Sequence, residues 1–516
     1  MLCGSSNARV GRATLVGLVL AGGAAHAQRA KSAGVSSTPA TPIFVETPCT
    51  DLWGTAVSMP AGTMRCGTVT VPQNRAKPND ASLLSVVLPV VVYSMAGAHG
   101  TPIVFLPGGP AESSIEAAQK VLLETPTGQL LIREHPVIVF DRRGYSPIAG
   151  RASPDLGTIV FEPRARRDLA VGPLVDSLKR RSRELKAHGI DPANFTTMPA
   201  VEDIYDVARA LHIDKLILFG ASYGSRESLH FMRRHGNMVE LAILDGIAPP
   251  QATQILDSTY MANTGREIAR RIIGECRADA VCAGQYADIS QALDRLSDTV
   301  KSKLRRTAQF AAADNWRTIE VAGASVLSVL GVASSSEEVR AILPRIVTEV
   351  ADQDTLHDEF ALRVFLAAAI DPSLQTASRQ IAPLAYYIAL CGDRPQGEPK
   401  AGNRQLCDAL GVPFTGPEAI TPVTSDIPTL LISSGYDAQT PAPLADEAAK
   451  TLSHARRAHF AMTGHVAFSR PVVMACVALV IDSFMRRPDD APSTSCIGSV
   501  TPAFLPRVDG AVAGKP

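Results

Sequence analysis

Three side chains far apart in the sequence are of the types that together make an alcohol reactive. Ser222 stands in the stretch Gly220-Ala221-Ser222-Tyr223-Gly224, Asp437 in LLISSGYDAQT, and His465 in RRAHFAMTGHVAF. A serine hydroxyl is a poor nucleophile until a base takes its proton, and the base needs a carboxylate to orient it. The G-x-S-x-G pattern is a sharp strand-to-helix turn that holds the serine Oγ outward at the C-terminal edge of a sheet. On such a sheet the acid and then the histidine follow the serine along the chain. That order selects Asp437, just past one late strand, and His465, in the loop after the next. Asp245, in AILDGIAPP, also follows a strand and is the alternative acid.

Acyl transfer also needs donors for the oxygen that gains charge. The amide of Tyr223 is one. The turn LPGGP supplies a second at Gly109, with Gly108 as the alternative, because glycine lets the backbone approach a carbonyl closely. Asp141 and Arg143, in DRRGYS, read as a buried, paired network that supports the pocket without reacting, since an unpaired ion there would be costly.

These residues need a sheet to bring them together. RCGTVTV and LLSVVLPVVVY read as strands, with the proline in the second moving it toward an edge. TPIVFL, HPVIVFD, DKLILFG and VELAILD are short apolar runs without alternation, as in strands buried on both faces. PAVEDIYDVARALHI and ESLHFMRRHG have helical character, the second stopped at Gly236. Strand and helix in alternation predict an α/β fold with a mainly parallel sheet. From about 251 to 424 the pattern turns mostly helical and Ala-rich, with a loose polar stretch from Cys391 to Ser425. It then returns to strands at IPTLLISSG and RRAHFAM, followed by a helix near 471–485. The simplest organisation is a core at 45–250 and 425–500, a helical cap inserted at 251–424, and a tail at 501–516.

The 516-residue chain is 46% hydrophobic, enough for a substantial core. Lys plus Arg equals Asp plus Glu at 50 each, so no long-range field invites nucleic acid. Arg9 and Arg12 precede a short apolar run ending Ala25-His26-Ala27, the pattern of an export signal over 1–27, with a flexible leader at 28–44. The run is shorter than the roughly 20 apolar residues of a membrane helix, and no stable membrane partner is expected. Losing the signal removes two arginines and no acid, leaving 48 basic against 50 acidic residues. Eight cysteines then remain, and an even number in an exported chain suggests disulfides. Pairing neighbours gives Cys49–Cys66, Cys276–Cys282, Cys391–Cys407 and Cys476–Cys496, one of many possible connectivities. No tight Cys or His cluster suggests zinc, and neither a metal nor a cofactor is expected.

With these residues in hand, the chain resembles the α/β hydrolases of the prolyl aminopeptidase and secreted tripeptidyl aminopeptidase group. FLPGGP, DRRG, LILFGASYGSRESLHFMRRH, AILDGIAPP, GYDAQTPAPLADEAAKTL and GHVAF follow one another as in those enzymes, and the likeness runs from about Cys49 to Cys496. The resemblance implies an exported serine hydrolase with Ser222 as nucleophile, Asp437 as acid and His465 as base, and Gly109 and Tyr223 at the oxyanion. It favours an aminopeptidase releasing short N-terminal peptides or residues, with a carboxylesterase or small-amide hydrolase as the alternative. The expected partner is accordingly a peptide or a small ester or amide substrate. The sequence departs from the group at Ala111, Ser146, Ile148 and Val466, all in loops near the site. Such enzymes hold the substrate's free amine with cap carboxylates, for which Glu337 with Glu338, or Asp358 with Glu359, are candidates.

Overall fold

The computed structural model describes residues 42–53, 62–110, 113–145, 171–256, 258–299, 305–312, 315–322, 334–351, 383–395, 401–499 and 504. The expected export segment, most of the leader, almost all of the tail, and Ala111, Ser146, Ile148, Asp358 and Glu359 lie outside them.

Among the described residues, nine strands form one sheet: β1 (Phe44–Glu46), β2 (Gly62–Val71), β3 (Val86–Met95), β4 (Ile103–Leu106), β5 (Val137–Phe140), β6 (Leu216–Ala221), β7 (Val239–Asp245), β10 (Thr429–Tyr436) and β11 (Ala455–Gly464). Their spatial order is β1-β2-β3-β5-β4-β6-β7-β10-β11. β1 to β3 meander antiparallel, and β3 joins β5 antiparallel. From β5 to β11 every neighbouring pair is parallel, so six strands end on the same edge of the sheet.

The lack of hydrophobic alternation has a direct structural cause. Val104, Leu106, Leu216, Leu218, Ala242 and Leu244 point into one apolar layer. The residues between them, Ile103, Phe105, Ile217, Phe219, Leu241 and Ile243, point into another. Successive strand side chains face opposite ways, so a sheet covered on both sides needs apolar residues at every position.

β3 is an interior strand despite Pro89, contrary to the expectation of an edge. Val90 to Tyr93 pair with β5 while the whole strand pairs with β2. The Pro89 carbonyl accepts the Asp141 amide, and a strand residue's N and O point to the same side. The missing donor therefore faces Asp141, one residue past the end of β5, and costs none of the ladder bonds of β5 itself.

The helices that matter for the site are α1 (Ser114–Glu124), α2 (Thr197–Ala210), α3 (Tyr223–His235), α4 (Ser258–Ala278), α5 (Ile289–Thr299), α6 (Glu337–Ala351), α7 (Pro383–Gly392), α8 (Ala401–Leu410) and α9 (Met474–Arg486). Helices α4, α5 and α6 share a third apolar cluster through Ile272, Leu293, Leu343 and Ile346. This is the helical cap. Tyr436 and Ala438, on either side of Asp437, belong to the same cluster, so the cap packs directly on the acid loop.

The segment expected to be mostly helical also contains a two-stranded hairpin, β8 (Arg305–Ala312) with β9 (Asn315–Ala322). The stretch expected to be loose after Cys391 contains α8, whose Leu406, Ala409 and Leu410 are buried at helical spacing. All four disulfides take the neighbour pairing: Cys49–Cys66, Cys276–Cys282, Cys391–Cys407 and Cys476–Cys496. No helix among the described residues is long and apolar enough to cross a membrane.

Candidate active site

Each of the three candidate side chains stands where a parallel strand ends. Ser222 follows β6, Asp437 follows β10 and His465 follows β11. The chain turns from β6 into α3 with Ser222 at φ 53° and ψ −121°, a conformation an L-residue adopts only when its surroundings enforce it. Here the amide of Ser222 donates to the Asp245 carbonyl and its own carbonyl accepts from Ser225. Gly224 is required at this turn, because a Cβ there would lie 1.9 Å from the Leu106 oxygen.

His465 Nε2 is 2.9 Å from Ser222 Oγ, and its Nδ1 is 2.8 Å from Asp437 Oδ2. Asp437 is fully buried. Its Oδ1 accepts the amides of Gln439 at 2.9 Å and Thr440 at 2.8 Å, and its Oδ2 accepts the Thr440 hydroxyl at 2.7 Å. Burial pushes the carboxyl up, but the His465 charge and these hydrogen bonds win and hold it below its ordinary value. The arrangement lets Nδ1 carry the hydrogen and leaves Nε2 free to take a proton from Ser222. Thr440 carries no signal of this role in the sequence. Only the tight turn after β10 brings it back onto the acid and to 3.1 Å from His465 Nδ1.

The alternative acid has another place. Asp245 accepts the amides of Ala467 at 3.1 Å and Phe468 at 2.8 Å, and so pins the loop that carries His465. Burial pushes its carboxyl up to about 7, against the pull of those two amides. Between them and His465 lies Val466 at φ 63°, a left-handed conformation unfavourable by about 1–2 kcal/mol for an L-residue. The two hydrogen bonds to Asp245 offset that strain.

The glycine turn after β4 reaches the serine. A Cβ on Gly108 would lie 3.1 Å from Ser222 Cβ, so this residue is in contact with Ser222. Gly109 follows at φ 115°, in the region that favours glycine.

Asp141 and Arg143 are both buried and hydrogen-bonded, but not to one another. Asp141 accepts from Ser113 Oγ at 2.9 Å and the Ile115 amide at 3.1 Å, at the start of α1, and burial pushes it up to about 7. Arg143 donates to Asp203 of α2, and to the Gln73 and Asn194 carbonyls. They brace two separate elements because adjacent side chains in the turn after β5 diverge. Arg142, between them and also unforeseen, lies against the glycine turn, with Nη2 2.6 Å from the Pro107 oxygen and Nη1 3.0 Å from the Gly108 oxygen.

Among the described residues, no group of histidines, cysteines and carboxylates is arranged to hold a metal.

The fold is that of an α/β hydrolase with a helical cap, and its buried Ser–His–Asp arrangement is that of a serine hydrolase enzyme. The α/β hydrolase fold family matches residues 101–271, which hold the glycine turn and Ser222. A family described as TAP-like protein matches residues 396–496, which hold Asp437 and His465. The chain is distantly related to serine protease and aminopeptidase sequences. It is 23% identical over 430 residues to serine protease Hip1 of Mycobacterium tuberculosis, covering 75% of this chain and 78% of the relative. It is 25% identical over 219 residues to the tripeptidyl aminopeptidase of Streptomyces coelicolor, covering 40% of this chain and 38% of that one. Among solved structures, a thermophilic esterase from Thermogutta terrifontis aligns over 82% of this chain and 99% of its own, at 14% identity and a TM-score of 0.36.

Proposed function

We propose that this enzyme hydrolyses esters and small amides through an acyl-enzyme on Ser222. The carrying observation is the unbroken path from Asp437 through His465 to Ser222, with spacings of 2.8 and 2.9 Å. In this reading His465 Nε2 takes the Ser222 proton as Oγ attacks the carbonyl. The oxyanion is met by the Tyr223 amide and by an amide of the Gly108–Gly109 turn. His465 then gives the proton to the leaving group, and water repeats the sequence to release the acid.

These parts suffice for an ester, whose alkoxide leaves with modest assistance. An N-terminal peptidase needs more, namely a carboxylate placed to hold the substrate's ammonium. Of the cap candidates, Glu337 pairs with Arg340 one turn along α6 at 3.8 Å. Asp358 and Glu359 lie outside the described residues, as does the Glu338 side chain. The aminopeptidase reading, which the sequence resemblance favours, is the second reading. The TAP-like match over 396–496 and the names of the two relatives support it.

A panel of a simple aryl ester, an N-blocked peptide and a free-amine peptide, run beside Ser222→Ala, separates the readings. The proposal expects ester turnover that disappears in Ser222→Ala. Turnover confined to free-amine peptides would transfer the assignment to the aminopeptidase. Export is part of the proposal, supported by the Arg9 to Ala27 pattern and by four disulfides, which persist in oxidising compartments.

A further inference from the structure

Arg142 and Glu227 form a buried ion pair with no part in the proton path. Arg142 Nε lies 2.9 Å from both Glu227 oxygens and Nη2 lies 2.6 Å from Oε2. The other contacts of the guanidinium are the Pro107 oxygen at 2.6 Å, the Gly108 oxygen at 3.0 Å and Ser114 Oγ at 3.3 Å. Its carbon also lies 5.4 Å from the centre of the Tyr223 ring. One side chain therefore touches both halves of the proposed oxyanion pocket. It holds the turn after β4 by two carbonyls. It holds the start of α3 through Glu227, one helical turn beyond Tyr223, and through the Tyr223 ring itself.

The two carbonyls matter because of peptide geometry. In a planar trans peptide the C=O of one residue and the N–H of the next point in opposite directions. The Pro107 carbonyl shares its plane with the Gly108 amide, and the Gly108 carbonyl shares its plane with the Gly109 amide. Both carbonyls point at Arg142, so both amides point away from it. Glycines leave these planes little intrinsic preference, and a fixed orientation has to come from outside the turn. The guanidinium is suited to this because its planar fork of donors serves several acceptors at once, which an ammonium cannot match. Glu227 neutralises its charge, so the effect on the pocket is one of direction, not of net field.

We infer that Arg142, held by Glu227, is a positioning residue that presets the oxyanion donors on both sides of Ser222. This rests on the acyl-enzyme reading above. It predicts an influence on the transition state with little on substrate binding, since the ground-state carbonyl does not need the donors at full strength.

The test compares wild type, Arg142→Lys, the apolar pair Arg142→Met with Glu227→Met, and Ser222→Ala on an aryl ester. Active-site counting sets the folded, competent fraction. The Lys variant keeps Glu227 paired, and the double variant leaves no buried charge unpaired, so the two protect against loss of folding by different routes. Both should lower kcat about 10²-fold, within the range for losing an oxyanion donor, with KM changed less than about threefold. Affinity for an aryl trifluoromethyl ketone, which forms the oxyanion as a hemiketal, should fall by the same factor as kcat/KM. A lowered melting temperature with wild-type kcat per competent site would make the pair merely structural and overturn the inference. So would equal losses with the ketone affinity unchanged. Activity surviving in Ser222→Ala would instead remove the acyl-enzyme reading, a distinct outcome.

Discussion

Replacing Asp437 by asparagine separates orientation of the histidine from folding. The carboxylate uses Oδ1 for two backbone amides and Oδ2 for His465 Nδ1 and the Thr440 hydroxyl. Asparagine has one acceptor oxygen. Facing it to His465, as catalysis needs, turns its NH2 group onto the Gln439 and Thr440 amides and leaves two buried donors without acceptors. Each such loss is worth about 1–3 kcal/mol, so the competent arrangement lies about 2–6 kcal/mol above the reversed one. In the reversed arrangement the oxygen serves the two amides, the NH2 donates to His465 Nδ1, and the hydrogen moves to Nε2, where it blocks proton uptake from Ser222. At 1.36 kcal/mol per factor of ten, kcat should fall by about 30-fold to about 3 × 10⁴-fold. The loss of about 10⁴ for this substitution in the serine-protease triad falls within that range. The reversed arrangement leaves every backbone donor paired, so the melting temperature should move by only a few degrees at most, since a chain of this length shifts by less than about 2–4 °C per kcal/mol. Ester hydrolysis per active site, read beside thermal unfolding, decides the matter. A fall in kcat under about threefold with unchanged stability would refute the claim that Asp437 fixes the His465 tautomer.

Gly108→Ala places a methyl 3.1 Å from Ser222 Cβ and 3.5 Å from Oγ, and should lower kcat at least about tenfold while the protein still folds; wild-type kinetics would contradict the close approach. Asp245 has a folded value near 7 against an ordinary 3.8, so its contribution to stability is full below about pH 4 and is lost as pH rises through 7. The melting temperature of wild type relative to Asp245→Asn should therefore fall between about pH 4 and 7 and level off above that, and a constant difference would contradict this. Peptide mapping without reductant should find the four neighbour-paired disulfides, and a free Cys391 or Cys407 would contradict the link between the α7 and α8 helices.

That Ser222, Asp437 and His465 come together could be read from the sequence because the determinants are local. A strand run before GASYG fixes an elbow, and the order serine, acid, histidine follows from loops that share one sheet edge. The neighbour pairing of cysteines was accessible for the same reason. The supporting residues were not. DRRG presents three charged side chains in a row, and the turn after β5 sends Asp141 to α1, Arg142 to the glycine turn and Arg143 to α2. Nothing in their spacing distinguishes those destinations. Glu227 carried a faint signal, since a helix places it over Tyr223, but its partner lies 85 residues earlier in the chain. Pro89 misled because its edge-strand preference applies only where a ladder bond is actually lost. Asp245 ends a strand as Asp437 nearly does, and only the path of the His465 loop shows that it receives amides and not the imidazole.

The central claim is that His465 makes the Ser222 hydroxyl reactive. It is tested most directly by the site and rate of phosphonylation with a fluorophosphonate, followed by peptide mass in wild type, His465→Ala and Ser222→Ala. The account predicts a single adduct on Ser222, formed orders of magnitude more slowly in His465→Ala and absent in Ser222→Ala. An adduct on another residue in active enzyme, or an undiminished rate without the imidazole, would contradict it.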